Sequence, residues 1–174
     1  MRISTEKLQI LYYPDQILRC KCLAVTQIND QIRQVVCRMI ELMHEARGVG
    51  LAAPQVGLNW RMFVANPTNE PDKDYVFINP VLSKPGKVSA AHEEGCLSIP
   101  GVYGQITRPV SITIEAMNES GESVQMTADD IAARVWQHET DHLDGVLIID
   151  KMTPMDKMAN KRLLRDLEEI AKQA

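Results

Sequence analysis

Residues 137–145 read QHETDHLDG, with His138 and His142 four apart and Glu139 between them. On a helix, residues at i and i+4 lie one above the other on the same face. Both imidazoles can then reach a single ion, with Glu139 projecting beside it. The spacing therefore predicts a helix from about residue 129 to residue 144, stopped by Gly145. A histidine on a helix is also often just a hydrogen-bonded core group, so the motif needs a third ligand before it means metal.

The 174 residues suffice for one domain, residues 1–174, with a sizeable core. The net charge of −4 and the lack of a long basic run argue against direct recognition of nucleic acid. No apolar stretch approaches the roughly 18 residues that cross a bilayer. The opening MRISTEKLQILYYPDQ lacks the apolar core and cleavage site of a secretory signal. A cytoplasmic location is expected, or an organelle if a transit peptide was removed. Cys20, Cys22, Cys37 and Cys96 do not form the pattern of a disulfide framework. Cys20-Lys21-Cys22 lacks a second pair or a nearby His for a metal. Cys37 lies among apolar helical positions and is expected to be a small buried hydrophobe.

Residues 29–47 place Ile32, Val35, Val36, Met39, Ile40 and Met43 at helical spacing, with Asn29 or Asp30 to cap the start and Gly48 to end the helix. GVGLAAPQVG, residues 48–57, predicts a closely packed loop. Strands are expected at 61–65, 75–80 and 110–116, the last joined through the turn NESG to ESVQMT in a hairpin. VLIID, 146–150, suggests a short buried strand. Pro154 opens a C-terminal helix whose stripe of Met155, Met158, Ala159, Leu163, Leu167 and Ile170 is expected to pack into the core. Strands and helices do not alternate regularly. That favours an α+β fold, with antiparallel strands around the central H-E-x-x-H helix and a C-terminal helix.

A hydrolytic tetrahedral site needs three protein ligands and one open position. No His follows His142, which excludes a third histidine downstream. Glu168 and Glu169 sit among solvent-facing charges of the terminal helix. His44 and His92 lie outside any ligand spacing. Cys96, within EEGCLSIP, remains, as a soft thiolate suited to zinc or ferrous iron or else as a buried structural cysteine.

GVGLAAPQVG, EEGCLS and QHETDHLDG together resemble the three signature motifs of the peptide deformylase family, in order and with similar spacing. The likeness extends from YPDQILR to DGVLIIDKMT, and CLSIPGVYGQITRP is similar to the cyanobacterial and plant organellar version. The resemblance implies removal of the formyl group from the N-terminal formylmethionine of nascent polypeptides. It implies Cys96, His138 and His142 as metal ligands, Glu139 as acid/base, and the Gln55 amide and Leu97 N–H beside the developing oxyanion. The ion it implies is Fe²⁺, with Zn²⁺, Ni²⁺ or Co²⁺ able to substitute. Val49, Gly50, Gly95, Ile131 and Val135 would border the substrate. Ser98 to Gly104 would flank the peptide, pairing with it as an added strand.

The resemblance also pairs Glu94 with Arg108 beside Cys96, while Asp141 either orients a ligand histidine or faces solvent. Arg134 occupies a place where some family members carry an aliphatic pocket residue. Its stem is expected to line the pocket and its guanidinium to reach the pocket mouth. Ribosome contact through the C-terminal helix is a family precedent that the mixed charge of this helix supports only weakly. Two rivals stay open: another H-E-x-x-H metallopeptidase, separated by its third ligand, and a non-catalytic metal-binding relative, which would need neither Glu139 nor Gln55.

Overall fold

A computed structural model describes residues 3–71 and 73–173 of the chain. Short 3-10 turns at Thr5–Lys7 and Gln16–Arg19 precede the first helix, α1, Asp30–Glu45. The strands follow: β1, Gly50–Ala52; β2, Met62–Ala65; β3, Tyr75–Ser83; β4, Ser89–Glu94; β5, Gly104–Pro109; β6, Ser111–Met117; and β7, Ser123–Asp129. Three helices close the chain: α2, Asp130–Leu143; α3, Ile148–Lys151; and α4, Pro154–Gln173. One sheet runs β1-β2-β3-β6-β7 with every pairing antiparallel, and β4 and β5 form a separate antiparallel pair. The fold is α+β, with α2 against the larger sheet and α4 at the C-terminus.

Burial explains how α1 and α2 take their places. α1 starts at Asn29, whose side chain accepts from the Ile32 N–H at 3.1 Å. It lays Ile32, Val35, Val36, Met39, Leu42 and Met43 against Leu51, Met62, Val64 and Ile78. α2 packs Ala133, Val135, Trp136 and Leu143 on Phe63, Phe77, Ile112 and Ile114. Trp136 meets Phe77 edge-on with ring centroids 5.3 Å apart, a favourable aromatic geometry. A third cluster joins Leu18, Ile99, Val102 and Ile106 to Leu147, Ile148 and Met152.

The hairpin at 110–127 forms as expected: Asn118 Oδ1 accepts from the Ser120 and Glu122 N–H groups, and Gly121 takes a positive φ. Several other expectations change. The stretch 48–57 is not only a loop. It contains β1 and a 3-10 turn, Ala53–Val56, because β1 completes the edge of the sheet beside β2. α1 ends before Gly48, with Arg47 taking the left-handed φ of 55°. Cys37 is exposed, turned away from the face that Val36 buries, and Cys22 is the buried thiol.

VLIID is not a strand. Asp150 accepts from the Leu147 N–H at 2.8 Å, winding Ile148–Lys151 into one helical turn over the third cluster. A short apolar run cannot distinguish strand from helix by itself. Of the α4 stripe Leu167 packs as expected, but Met155, Met158, Ala159, Leu163 and Ile170 are exposed. α4 is held instead along Asn160, Leu164 and Leu167. Asn160 donates to the Tyr103 carbonyl at 2.7 Å, and the Tyr13 hydroxyl donates to Glu168. All four cysteines are free, and among the described residues no helix is long and apolar enough to cross a membrane.

Candidate metal centre

The centre is built where α2 faces the turn that follows β4. Cys96 stands on that turn; His138 and His142 stand on α2, one helical turn apart. Ligand atoms of the three residues lie within 4.8 Å of one another. Cys96 Sγ is 3.3 Å from His142 Nε2. His138 Nδ1 is 3.1 Å from Glu94 Oε2, which leaves Nε2 toward the cluster. A carboxylate on the far nitrogen is the usual way a metal-binding imidazole is held in its tautomer. Among the described residues no other group of three or more His, Cys, Asp and Glu side chains gathers at ligand distance. The donors fit one divalent ion: a thiolate and two imidazoles converge, and the buried Glu139 Oε2 has no protein partner.

Electrostatics set each group differently. Burial pushes Glu139 up to about 7, against the opposing pull of positive charge on His138. Among the protein groups alone, burial would lower His138, but its bonds to Cys96 and Glu94 win and raise it to about 10. His142 is driven well below its ordinary value by burial, with the charge of His138 adding to it. Burial also acts to raise Glu94, yet hydrogen bonds from His138 and Arg108 hold it far below the usual carboxylate range. A buried carboxyl group beside a cluster of metal-binding donors suits proton transfer.

Beside the cluster a cleft of about 480 Å³ opens to solvent. Gln55, Cys96, Leu97, His138 and Glu139 line it, as do Val49, Gly50 and Gly95. Val135 forms a buried wall, and Ile131, 55% exposed, stands at the mouth. Gln55 is locked: its Oε1 accepts from the Ala52 N–H at 2.8 Å and its Nε2 donates to Ser98 Oγ at 3.1 Å. No protein acceptor takes the Leu97 N–H among the described residues. Gly50 has to be glycine, since a Cβ there would sit 2.3 Å from Glu139 Oε1. A Cβ at Gly95 would meet the Tyr103 ring at 2.6 Å.

Some sequence expectations find other partners. Ile99 to Tyr103 line the cleft and Gly104 opens β5, while the Ser98 carbonyl accepts from the Tyr13 N–H at 2.8 Å. Glu94 and Arg108 do pair, through two bonds of 2.7 and 2.9 Å. Asp141 orients no histidine; it accepts from Arg108 and Lys151. The guanidinium of Arg134 does not reach the mouth. Although Arg134 lines the cleft, its side chain is only 11% exposed and its head is bonded to Glu94, Ile106 O and Ala90 O. Unpaired in the pocket it would be costly, and the two strands offer it acceptors. Only the fold brings the Ser98 hydroxyl to Gln55, 43 positions away in the chain. His44 pairs with Asp74, His92 is exposed on β4, and Glu168 bonds Tyr13, so none joins the cluster.

The sequence profile described as Polypeptide deformylase matches residues 7–158. The chain belongs to the peptide deformylase family. The peptide deformylase of Borreliella burgdorferi is 43% identical over 156 residues, covering 90% of this chain and 93% of that protein. Peptide deformylase 1B of Arabidopsis thaliana, described as chloroplastic/mitochondrial, is 41% identical over 148 residues, 84% of this chain. The chain spans only 54% of that plant protein's length. A crystal structure of a plant peptide deformylase superposes with a TM-score of 0.94 at 37% identity, covering 99% of this chain and 95% of that one.

Proposed function

We propose that this chain is a metal-dependent peptide deformylase. It hydrolyses the N-formyl group from the N-terminal formylmethionine of newly made polypeptides and releases formate. The observation that carries the proposal is Cys96, His138 and His142 converging at the head of an apolar cleft, with Glu139 buried beside them. Cys96, His138 and His142 hold one divalent ion, Fe²⁺ in the reading we favour, with Zn²⁺, Ni²⁺ or Co²⁺ able to take its place. That ion supplies Lewis acidity and lowers the pKa of a bound water toward about 7.

The remaining work falls to the protein. Glu139 accepts the water's proton and returns it to the leaving amine, a role supported by its burial beside the ligand cluster and its Oε2, which has no protein partner. Gln55 Nε2 and the Leu97 N–H stabilise negative charge on the former carbonyl oxygen; one such donor is typically worth about 3–4 kcal/mol. Val49, Val135 and Ile131 receive the methionine side chain, while Gly50 and Gly95 let the peptide backbone approach. Residues 1–174 act as one catalytic domain. The activity belongs where proteins begin with formylmethionine, in a bacterial-type cytoplasm or an organelle. Exposed Met155, Met158, Leu163 and Ile170 leave α4 a free face for contact with the ribosome.

Formate release from formyl-Met-Ala-Ser tests the proposal. Purified anaerobically with Fe²⁺, the chain should turn the peptide over, and Cys96→Ser should lose both ion and activity. Turnover by Cys96→Ser at the wild-type rate would overturn the ligand set.

A further inference from the structure

The two halves of the metal centre belong to different elements. Cys96 follows β4, and both histidines ride on α2. How tightly the donors converge depends on how firmly the β4–β5 pair is held against that helix. We infer that Arg134 is a positioning residue for the metal centre, fastening the cysteine-bearing hairpin to the histidine helix and sharing the carboxylate that orients His138. The inference rests on the metal-site reading above.

Arg134 lies one helical turn before His138. Its NH2 donates to the Ala90 carbonyl of β4 at 2.8 Å. Its NH1 donates to the Ile106 carbonyl of β5 at 2.9 Å and also to Glu94 Oε1. Ala90 pairs with Arg108 and Ile106 pairs with His92, so one guanidinium grips both strands. Glu94 ends β4 two residues before Cys96, and its other oxygen meets His138 Nδ1. The connections therefore close a ring: from α2 through Arg134 to the hairpin, through Glu94, and back to α2 at His138. Arg108 supplies one further tie, from β5 to Asp141 of α2 at 2.7 Å. Loss of Arg134 should thus loosen the centre without dismantling it.

The chemistry requires this side chain. A planar guanidinium presents several N–H donors in a fixed fork, whereas an ammonium is a compact point charge. Lysine at 134 can still neutralise Glu94, but it cannot span two carbonyls on neighbouring strands and the carboxylate together. Leucine keeps an apolar wall on the cleft and removes every bond. Partners that orient metal ligands typically matter by about 10–100-fold in affinity or activity.

The test uses Co²⁺ as the probe ion in the full chain, comparing wild type, R134L, R134K and the control R33L, at an exposed α1 residue that pairs with Asp30. Release of Co²⁺ to excess EDTA, the visible absorption of bound Co²⁺ and the thermal midpoint are measured. Release from R134L should be about 10–100-fold faster, with altered absorption bands. R134K should fall between R134L and wild type, and R33L should match wild type. A lower midpoint with wild-type bands and wild-type release in folded R134L would indicate a merely structural residue and overturn the inference. Should R134L fail to fold, wild-type bands and release in R134K would overturn it equally. Failure of the unmodified chain to bind Co²⁺ would instead overturn the metal-site reading, and the inference with it.

Discussion

α2 and α4 are both helices with mixed polar and apolar faces, yet they are attached to the rest of the molecule in opposite ways. α2, with 14 residues, buries eight of its side chains, including Glu139 and His142. α4, with 20 residues, buries only Asn160. A helix covered on several sides can carry ionisable groups only when each finds a partner or a task. Around α2 those constraints join its Arg134 and His138 to Glu94 of β4, which also pairs with Arg108 of β5. A helix lying along the surface escapes them. α4 leaves Met155 at 80% and Met158 at 76% exposure, and it relies on Leu164 and Leu167 at the third cluster and on bonds to Tyr103 and Tyr13.

The sharpest way to probe this contrast is at Glu139. Glu139→Gln should lower kcat on formyl-Met peptides by about 100- to 10,000-fold while metal content stays near one ion per chain. Retained turnover would remove the acid/base role, and loss of the ion would make Glu139 part of the ligand sphere. Next in size is Trp136→Ala, which empties the space between α2 and Phe77. Urea unfolding should show a loss of about 3–5 kcal/mol. A loss below about 1 kcal/mol would mean that α2 is held by its ion pairs more than by its apolar face.

On the other helix the effects should shrink. Asn160→Ala removes the bond to the Tyr103 carbonyl and should cost about 1 kcal/mol in the same measurement. Met158→Ala should change stability by no more than about 0.5 kcal/mol, as for an ordinary exposed position. If Met158→Ala matched Trp136→Ala, the exposed face of α4 would have to be covered in solution, and the contrast between the helices would fail.

Much of the site was legible in the chain because its signals are local. Residues four apart share a helix face, so His138, Glu139 and His142 follow from spacing alone. Asn29 at the start of α1 and NESG between β6 and β7 are likewise short-range chemistry, and both behave as read. β4 and β5 were missed, because SAAHEE and GQITRP lack clean alternation of β-branched residues; their pairing with each other decides them. Cys37 shows a finer limit. At the edge of an apolar helical face, a rotation of one residue separates buried from exposed, and only the packing of α1 on the sheet chooses.

By itself the sequence determined which residues could serve as donors, the helix that presents two of them, and the motif order that resembles a deformylase. These depend on residue type and on separations of a few positions. Tertiary structure alone decided that Cys96 meets His142 across 46 positions of chain. It decided that Asp150 turns VLIID into a helical turn. It also drew the head of Arg134 away from the cleft mouth and into the β4–β5 hairpin. Each of those outcomes depends on which acceptors and apolar surfaces distant segments bring alongside. A buried polar group takes the partners it finds there, because leaving it without one costs more than any local preference.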